Sequence, residues 1–134
     1  MTIKSASLKI NTNKNFEIID ITSQINKLID INEGIISIFS RHSTSAIVVN
    51  ENESGLLNDL EFMLDNVVSD KFSYQHDKID NNARSHLKSF LLSSSETLPV
   101  KNGKLDLGTW QSVFFVELDG PRHARTITLT MVGE

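Results

Sequence analysis

Residues 111–132 read QSVFFVELDGPRHARTITLTMV, and this stretch decides the fold. Gln111 to Leu118 is a run of β-branched and aromatic residues typical of a buried strand. From Thr126 to Val132 threonines alternate with apolar residues, which predicts a strand with one face on the core and one face toward water or a partner. Asp119-Gly120-Pro121-Arg122 has the composition of a turn. We therefore expect a closing β-hairpin.

The rest of the chain supplies further strands and three helices. The predicted strands are Ile3–Ile10, Phe16–Ile21, Ile35–Phe39 and Ala46–Val49, with the first two forming a hairpin. The predicted helices run from Thr22 to about Asn32–Gly34, from Asn52 or Ser54 to Val68, and from Asp80–Asn82 to about Leu92. The order ββαββααββ, with no repeat or linker, predicts one α+β domain over residues 1–134 with a mainly antiparallel sheet.

The middle helix carries the clearest helical periodicity. Its apolar residues recur at positions i, i+3, i+4 and i+7: Leu56, Leu57, Leu60, Met63, Leu64, Val67 and Val68. We expect this stripe to be part of the core.

Composition excludes several classes of protein. A formal net charge of -4 and a pI near 5.5 argue against a nucleic-acid surface, which normally needs a basic stripe. Because the chain has no cysteine, a disulfide framework, a thiolate nucleophile and a Cys-ligated zinc site are excluded. No apolar run approaches the roughly 20 residues that span a bilayer, and the first residues lack a signal-peptide core. We therefore expect a cytoplasmic protein without a membrane partner.

The histidines and arginines are clustered, whereas the lysines are scattered. All four histidines and all four arginines lie in three stretches: Arg41-His42, His76 to His86, and Arg122 to Arg125. Arginine forms a planar fork for phosphate or carboxylate, and neutral imidazole is a common metal ligand. The clustering predicts that three remote segments converge on one polar site for an anion, a metal ion or both.

The segment Tyr74-x-His76-x3-Asp80-x-Asn82-x3-His86 is the strongest chemical signal. A helix beginning near Asn82 would place His76 and His86 at its N-terminus, where free N–H groups favour an anion. Asp80 could orient a ligand histidine or bind the cation itself. His42 is the natural third imidazole of a site for a divalent ion, Zn or Mg.

Other polar residues have two readings each. Glu51, at a strand end beside Asn50, could be a base or a metal ligand, or could compensate a helix dipole. The Thr44 hydroxyl could hydrogen-bond phosphate oxygens, or it could hydrogen-bond the backbone of a turn. Arg122 and Arg125 suit phosphate or carboxylate, or form surface ion pairs. Trp110 would be a core or interface anchor.

Taken together, the motifs resemble the YjbQ-like family. They are His42-Ser43-Thr44-Ser45, Asn50-Glu51, the Tyr74 to His86 segment, Pro99-Val100, Leu107-Gly108-Thr109-Trp110-Gln111 and Asp119-Gly120-Pro121-Arg122, in this order. The resemblance implies a half-barrel domain assembled as a homotrimer, with the three histidines lining a site near a subunit boundary. Two segments depart from the family pattern. Leu92-Ser93-Ser94-Ser95 replaces a stretch where a glycine is usual, and His123-Ala124-Arg125 shifts the second arginine from its common position.

The resemblance also implies secondary thiamine-phosphate synthase activity, which joins a pyrimidine-methyl diphosphate to a thiazole phosphate. The alternatives are zinc-assisted hydrolysis with Glu51 as base, and a non-catalytic trimer that binds a metal or a small phosphorylated metabolite. We assign catalysis to Glu51, Asp80 and His42, metal binding to His42, His76 and His86, and ligand contacts to Arg122, Arg125, Thr44, Asn50, Asn82 and Gln111.

Overall fold

A computed structural model describes all 134 residues as a single α+β domain. Its strands are β1 (Thr2–Ile10), β2 (Glu17–Asp20), β3 (Gly34–Ser40), β4 (Ser45–Glu51), β5 (Ser95–Lys101), β6 (Lys104–Leu105), β7 (Gln111–Glu117) and β8 (Arg125–Gly133). Its helices are α1 (Thr22–Leu28), α2 (Ser54–Val67) and α3 (Ala83–Leu92), with a short 3₁₀ helix over Gln75–Lys78. No helix is long and apolar enough to cross a membrane.

The strands form two antiparallel sheets that curl into a half-barrel. One sheet has the order β1-β8-β3-β5-β6 and the other has the order β2-β7-β4. The core between them contains Ile36, Ile38, Ile47, Phe115, Ile127 and Leu129, all fully buried. The alternation predicted for β8 is confirmed, because Ile127, Leu129 and Met131 face this core while Thr130 is exposed.

Two predicted hairpins are wrong. β7 pairs with β2 and β4, whereas β8 pairs with β1 and β3, so residues 118–124 carry the chain from one sheet to the other. β1 and β2 also lie in different sheets. A periodic pattern shows that a strand is buried but not which strand it pairs with. The hairpin that does form between consecutive strands, β5–β6, was not predicted, because its polar residues and Pro99 hide the strand pattern.

The helices also differ from the predictions. α1 ends at Leu28, several residues earlier than expected. The stripe of α2 was expected to be core, but Leu64 is the only fully buried residue of that helix. Met63 is 49% exposed, Val67 is 60% exposed, and the neighbouring Phe62 is 70% exposed. In one chain, therefore, much of the apolar surface of α2 is not covered by the sheet.

Candidate functional site

Two adjoining cavities form a groove along α3. The first, of about 340 Å³, is lined mainly by four serines together with His42 and His86. The second, of about 380 Å³, is lined mainly by Tyr74, His76 and Leu87. His86 and Phe90 line both cavities. We call the two together the histidine groove. The three histidines predicted as metal ligands thus lie along one groove.

The local fold explains why His76 and His86 meet. His76 lies on the 3₁₀ helix that leads into α3, and His86 lies in the first turns of α3. Their ring centroids are 4.7 Å apart and the rings are nearly perpendicular. His76 Nε2 is buried without a hydrogen-bond partner, and it lies 3.8 Å from Asp80 Oδ2. This end of the groove therefore has two adjacent imidazoles with a carboxylate beside them.

The N-terminus of α3 is already occupied by the chain itself. The backbone N–H of Ala83 donates to Asp77 Oδ1 at 2.9 Å, so the predicted anion-binding end holds this carboxylate. Asn82 donates through Nδ2 to Asp119 Oδ2 at 2.9 Å, while its Oδ1 is buried and has no partner. Asn82 therefore fixes the loop beside the groove.

His42 is oriented by the end of a strand. The backbone N–H of Thr126 donates to His42 Nε2 at 2.8 Å. A neutral imidazole that accepts at Nε2 carries its proton on Nδ1. Burial, followed by the positive charge of Arg125, lowers the pKa of His42 and favours this neutral form. In this arrangement His42 has an N–H to donate, and binding a metal through Nε2 would require the loss of the Thr126 hydrogen bond.

A buried ion pair between Arg125 and Glu117 lies beneath His42. It changes the predicted role of Arg125 and Thr44 as ligand contacts. Arg125 donates through Nε to Glu117 Oε1 at 2.9 Å and also binds Glu117 through Nη2. Thr44 Oγ1 accepts from Arg125 at 2.9 Å, and Thr12 donates to Glu117 at 2.7 Å. The anion that Arg125 recognises is thus a carboxylate of its own chain. Predicted as ligand contacts, Arg125 and Thr44 are instead buried beneath the groove.

Glu117 and Thr12 were missed by the sequence analysis. Burial raises the pKa of Glu117, but hydrogen bonds from Arg125, Thr12 and the Asp119 backbone outweigh burial and lower it. The available signal was a carboxylate at the end of the apolar run VFFVEL, since a charge in a buried strand needs a buried partner.

Arg122 lies at the surface of the turn that follows β7. Its Nε donates to the Asp119 carbonyl at 2.8 Å and its Nη2 donates to Asp119 Oδ2 at 2.9 Å. The preceding Gly120–Pro121 bond is cis. About half of the Arg122 side chain is exposed. The ion pair that competed with the anion-binding interpretation is therefore present, and the exposed part of the guanidinium still faces solvent.

Three predicted site residues lie at the other end of the molecule. Asn50 and Glu51 end β4, and Gln111, opposite Glu51 in the register, begins β7. Glu51 lies six residues beyond Ser45 in the seven-residue strand β4, about 20 Å further along, so this cluster lies outside the groove. Trp110 beside it is 73% exposed and is not a core residue. We call Asn50, Glu51, Trp110 and Gln111 the acidic end, together with the neighbouring Asp20 and Glu53.

The acidic end is fixed by short local hydrogen bonds. Asn50 Oδ1 accepts from the Glu51 N–H at 2.8 Å, and Gln111 Oε1 accepts from the Gly108 N–H at 2.8 Å. Asp20 Oδ2 accepts from Asn52 Nδ2 at 3.0 Å. Within one chain, no three histidine, aspartate or glutamate side chains meet at a point that could hold a metal ion.

Comparison with known proteins gives the family. The model of the UPF0047 protein YjbQ-like family matches residues 6–134. The chain belongs to this family. A UPF0047 protein of Methanothermobacter thermautotrophicus is 51% identical, with 100% of this chain and 95% of that protein aligned. UPF0047 protein YugU of Bacillus subtilis is 34% identical, with 95% and 98% aligned.

Solved structures of family members have the same fold. The crystal structure of a YjbQ-like protein of unknown function from Sulfolobus solfataricus gives a TM-score of 0.94 at 40% identity, covering 99% of both chains. A family member from Clostridium acetobutylicum gives 0.88 at 33% identity, covering 95% of this chain and 99% of that one. The half-barrel expected from the motifs is therefore the fold of this chain.

Proposed function

We propose that the histidine groove binds a divalent metal ion together with the phosphate-type anion of a small metabolite. The observation that carries this proposal is that His86 lines both cavities, with His76 on one side and His42 on the other. Such a groove could hold a metal ion and a phosphate-type anion next to each other.

The metal would be held at the end formed by His76 and His86. The buried, unpartnered Nε2 of His76 needs a partner, and a metal ion would supply one. Asp80 Oδ2 is 3.8 Å from this same nitrogen, on the side of the ring where the metal would bind, so its carboxylate could complete the ligand set. Imidazole ligands favour zinc over magnesium, which prefers oxygen. A bound zinc ion would act as a Lewis acid toward a phosphoryl oxygen.

The anion would lie at the end formed by His42. This half of the groove is lined by the serines Ser43, Ser89, Ser93 and Ser94, and no carboxylate lines it. His42 can donate its Nδ1–H, and serine hydroxyls can donate to phosphate oxygens. The positive charge of Arg122 also helps to lower the pKa of His42, and it would favour an anion at this end of the groove. The lining is thus suited to accepting negative charge.

The reaction we propose is of the thiamine-phosphate synthase type, in which a diphosphate leaves and a thiazole phosphate adds. The groove would stabilise the leaving diphosphate through His42, the serines and the metal. The apolar half, with Tyr74, Leu87 and Phe90, would receive a flat organic group. We further propose that the protein acts in the cytoplasm as a homotrimer, with no nucleic acid or membrane as partner.

The test is calorimetric titration of the purified protein with Zn²⁺, Mg²⁺ and inorganic phosphate. Zinc binding should be lost in the His76→Ala/His86→Ala double variant and kept in His123→Ala, which removes an exposed histidine outside the groove. Product formation from the two thiamine precursors, lost in the double variant, would establish the enzyme. Zinc and phosphate binding without turnover would favour a non-catalytic binder, and equal zinc binding in all variants would contradict the metal site.

A further inference from the structure

The predicted site residues divide into two groups at opposite ends of β4. The histidine groove begins beside Ser45, whereas Glu51 lies six residues further along the strand. No side-chain movement within one chain closes a gap of about 20 Å. We infer that the acidic end of one copy of this chain docks against the histidine groove of a second copy, so that the second copy's groove receives Glu51.

The groove has an apolar rim of the kind that a protein partner covers. Phe90 is 85% exposed, and beside it a shallow cavity of about 490 Å³ is lined by apolar and aromatic side chains alone. Phe72 and Val67 on this rim are 66% and 60% exposed. Contiguous apolar surface of this kind marks a site of protein interaction.

The acidic end carries a matching anchor. Trp110 is 73% exposed immediately before Gln111, the residue opposite Glu51 in the β4–β7 register. Exposed tryptophan is costly in water and is enriched among the residues that dominate binding energy at interfaces. Inserted at the Phe72–Phe90 rim, Trp110 would bring Glu51 toward the histidines.

The charges of the acidic end and of the His42 end of the groove are complementary, since no carboxylate lines the His42 cavity. Arg41 and Arg122 are exposed, and the positive charge of each helps to lower the pKa of His42; Arg122 keeps about half of its side chain in solvent beside its ion pair with Asp119. Asp20, Glu51 and Glu53 lie at the acidic end, where Glu53 also caps α2. Opposite charges across an interface orient the partners and exclude like-charged pairings. A groove-to-groove contact would instead bring the arginines together.

A contact between two different ends of the same molecule is heterologous, and it forms a closed ring when the rotation between neighbouring copies closes. Each junction between two subunits of the ring would then hold one complete site. The role of Glu51 at the junction rests on the proposed function. There Glu51 would be the carboxylate that joins His76 and His86 as a metal ligand, or it would act as the general base.

The docking is tested without any ligand, because Trp110 is the only tryptophan of the chain. Sedimentation velocity and tryptophan emission are measured for the wild type, Phe90→Ser and Ile3→Ser. Ile3 is a matched control, since it is 72% exposed on the edge strand β1, in neither end. The wild type and Ile3→Ser should be oligomers with blue-shifted emission, and Phe90→Ser should be a monomer with red-shifted emission. A monomeric wild type, or an oligomer whose Trp110 emission is that of an indole in water, would overturn the docking.

Sharing of the site is tested by mixing Glu51→Gln and His86→Ala subunits. Each variant alone should bind zinc at least roughly tenfold more weakly than the wild type. After the two are unfolded and refolded together, about a quarter of the junctions in a ring would join an intact groove to an intact Glu51, and zinc binding should recover to that extent. No recovery in intact oligomers would overturn the sharing. If the wild type itself binds no zinc, the proposed function fails, and the emission experiment still decides the docking.

Discussion

Strands and helices of this protein both carry regular apolar patterns, but they bury them to different extents. In β7, the residues Val113 to Glu117 are all fully or almost fully buried. In α2, Leu64 alone is buried, although seven apolar residues in and just after the helix follow its period. The difference teaches that periodicity shows which face is apolar, not what covers it. The sheet is covered within the chain, and the helical face is available to another chain.

The largest effect is expected at the buried ion pair of the sheet region. Arg125→Ala leaves Glu117 charged and buried without its main partner, so the free energy of unfolding should fall by about 3–5 kcal/mol. Lys4→Ala, which removes the exposed partner of Asp30, should cost at most about 1 kcal/mol. Urea unfolding at one protein concentration measures both, and equal costs would contradict the buried-pair account.

A second pair of variants compares the two regions directly. Leu129→Ala opens a cavity in the core and should cost about 2–5 kcal/mol. Phe62→Ala on α2, removing a side chain that is 70% exposed, should change the stability of the dissociated chain by about 0.5 kcal/mol or less. The measurement is urea unfolding at a concentration where the chain is monomeric. A large cost for Phe62→Ala there would show that α2 is packed within the chain.

Arg122 is expected to act on ligand binding more than on folding. Arg122→Lys keeps the charge but loses the planar fork, so phosphate binding should weaken by about 1.5–3 kcal/mol. Arg84→Lys is the control, because Arg84 binds Asp65 and the Val68 carbonyl. Calorimetric titration with phosphate compares the two. If Arg122→Lys binds as tightly as the wild type while Arg122→Ala unfolds, Arg122 is a structural partner of Asp119.

The smallest effect is a difference in how two carboxylates respond to acid. The pKa of Glu117 is lowered against the opposing effect of burial, chiefly by the hydrogen bond from Arg125. The hydrogen bond from Lys88 lowers the pKa of Asp65 on α2. A lowered pKa gives stability that is present above the unfolded-state pKa and is lost as pH falls through the folded-state pKa. Both contributions should therefore disappear in acid.

Salt separates the two carboxylates, because salt screens the half-exposed Asp65 pair and leaves the buried Glu117 pair largely unaffected. Unfolding is followed against pH at low and high salt for the wild type, Glu117→Gln and Asp65→Asn. Glu117→Gln should remove part of the fall in the free energy of unfolding that acid causes, and the size of that part should be the same at both salt concentrations. A Glu117 contribution that disappears at high salt would contradict its burial.

The sequence predicted the fold class, most strand positions, the family and the groove that the three histidines share. These follow from local patterns, such as the alternation in Thr126 to Val132 and the Tyr74 to His86 spacing. Strand pairing was not predictable in this way, since the turn after β7 has the composition of a hairpin turn but connects two sheets. The polar and proline-containing β5 lacked a strand signal.

The site was only partly predictable for a related reason. The sequence suggested that Arg125 and Thr44 face a ligand, but Glu117 binds Arg125 beneath the groove. It also suggested one site that includes Glu51, which a strand of seven residues separates from His42 in the same chain. Residue types indicate the chemistry available, whereas the distances between them depend on the tertiary structure and on any second copy.

Hydrogen–deuterium exchange at two protein concentrations tests most directly whether the helical face is covered by another chain. At micromolar concentration, amides of α2, α3 and the Gly108–Gln111 segment should be protected, and after dilution to the monomer their exchange should accelerate. Amides of β3, β7 and β8 should exchange equally slowly in both samples, because their cover comes from the chain itself. Exchange in α2 and α3 that does not depend on concentration would contradict the account.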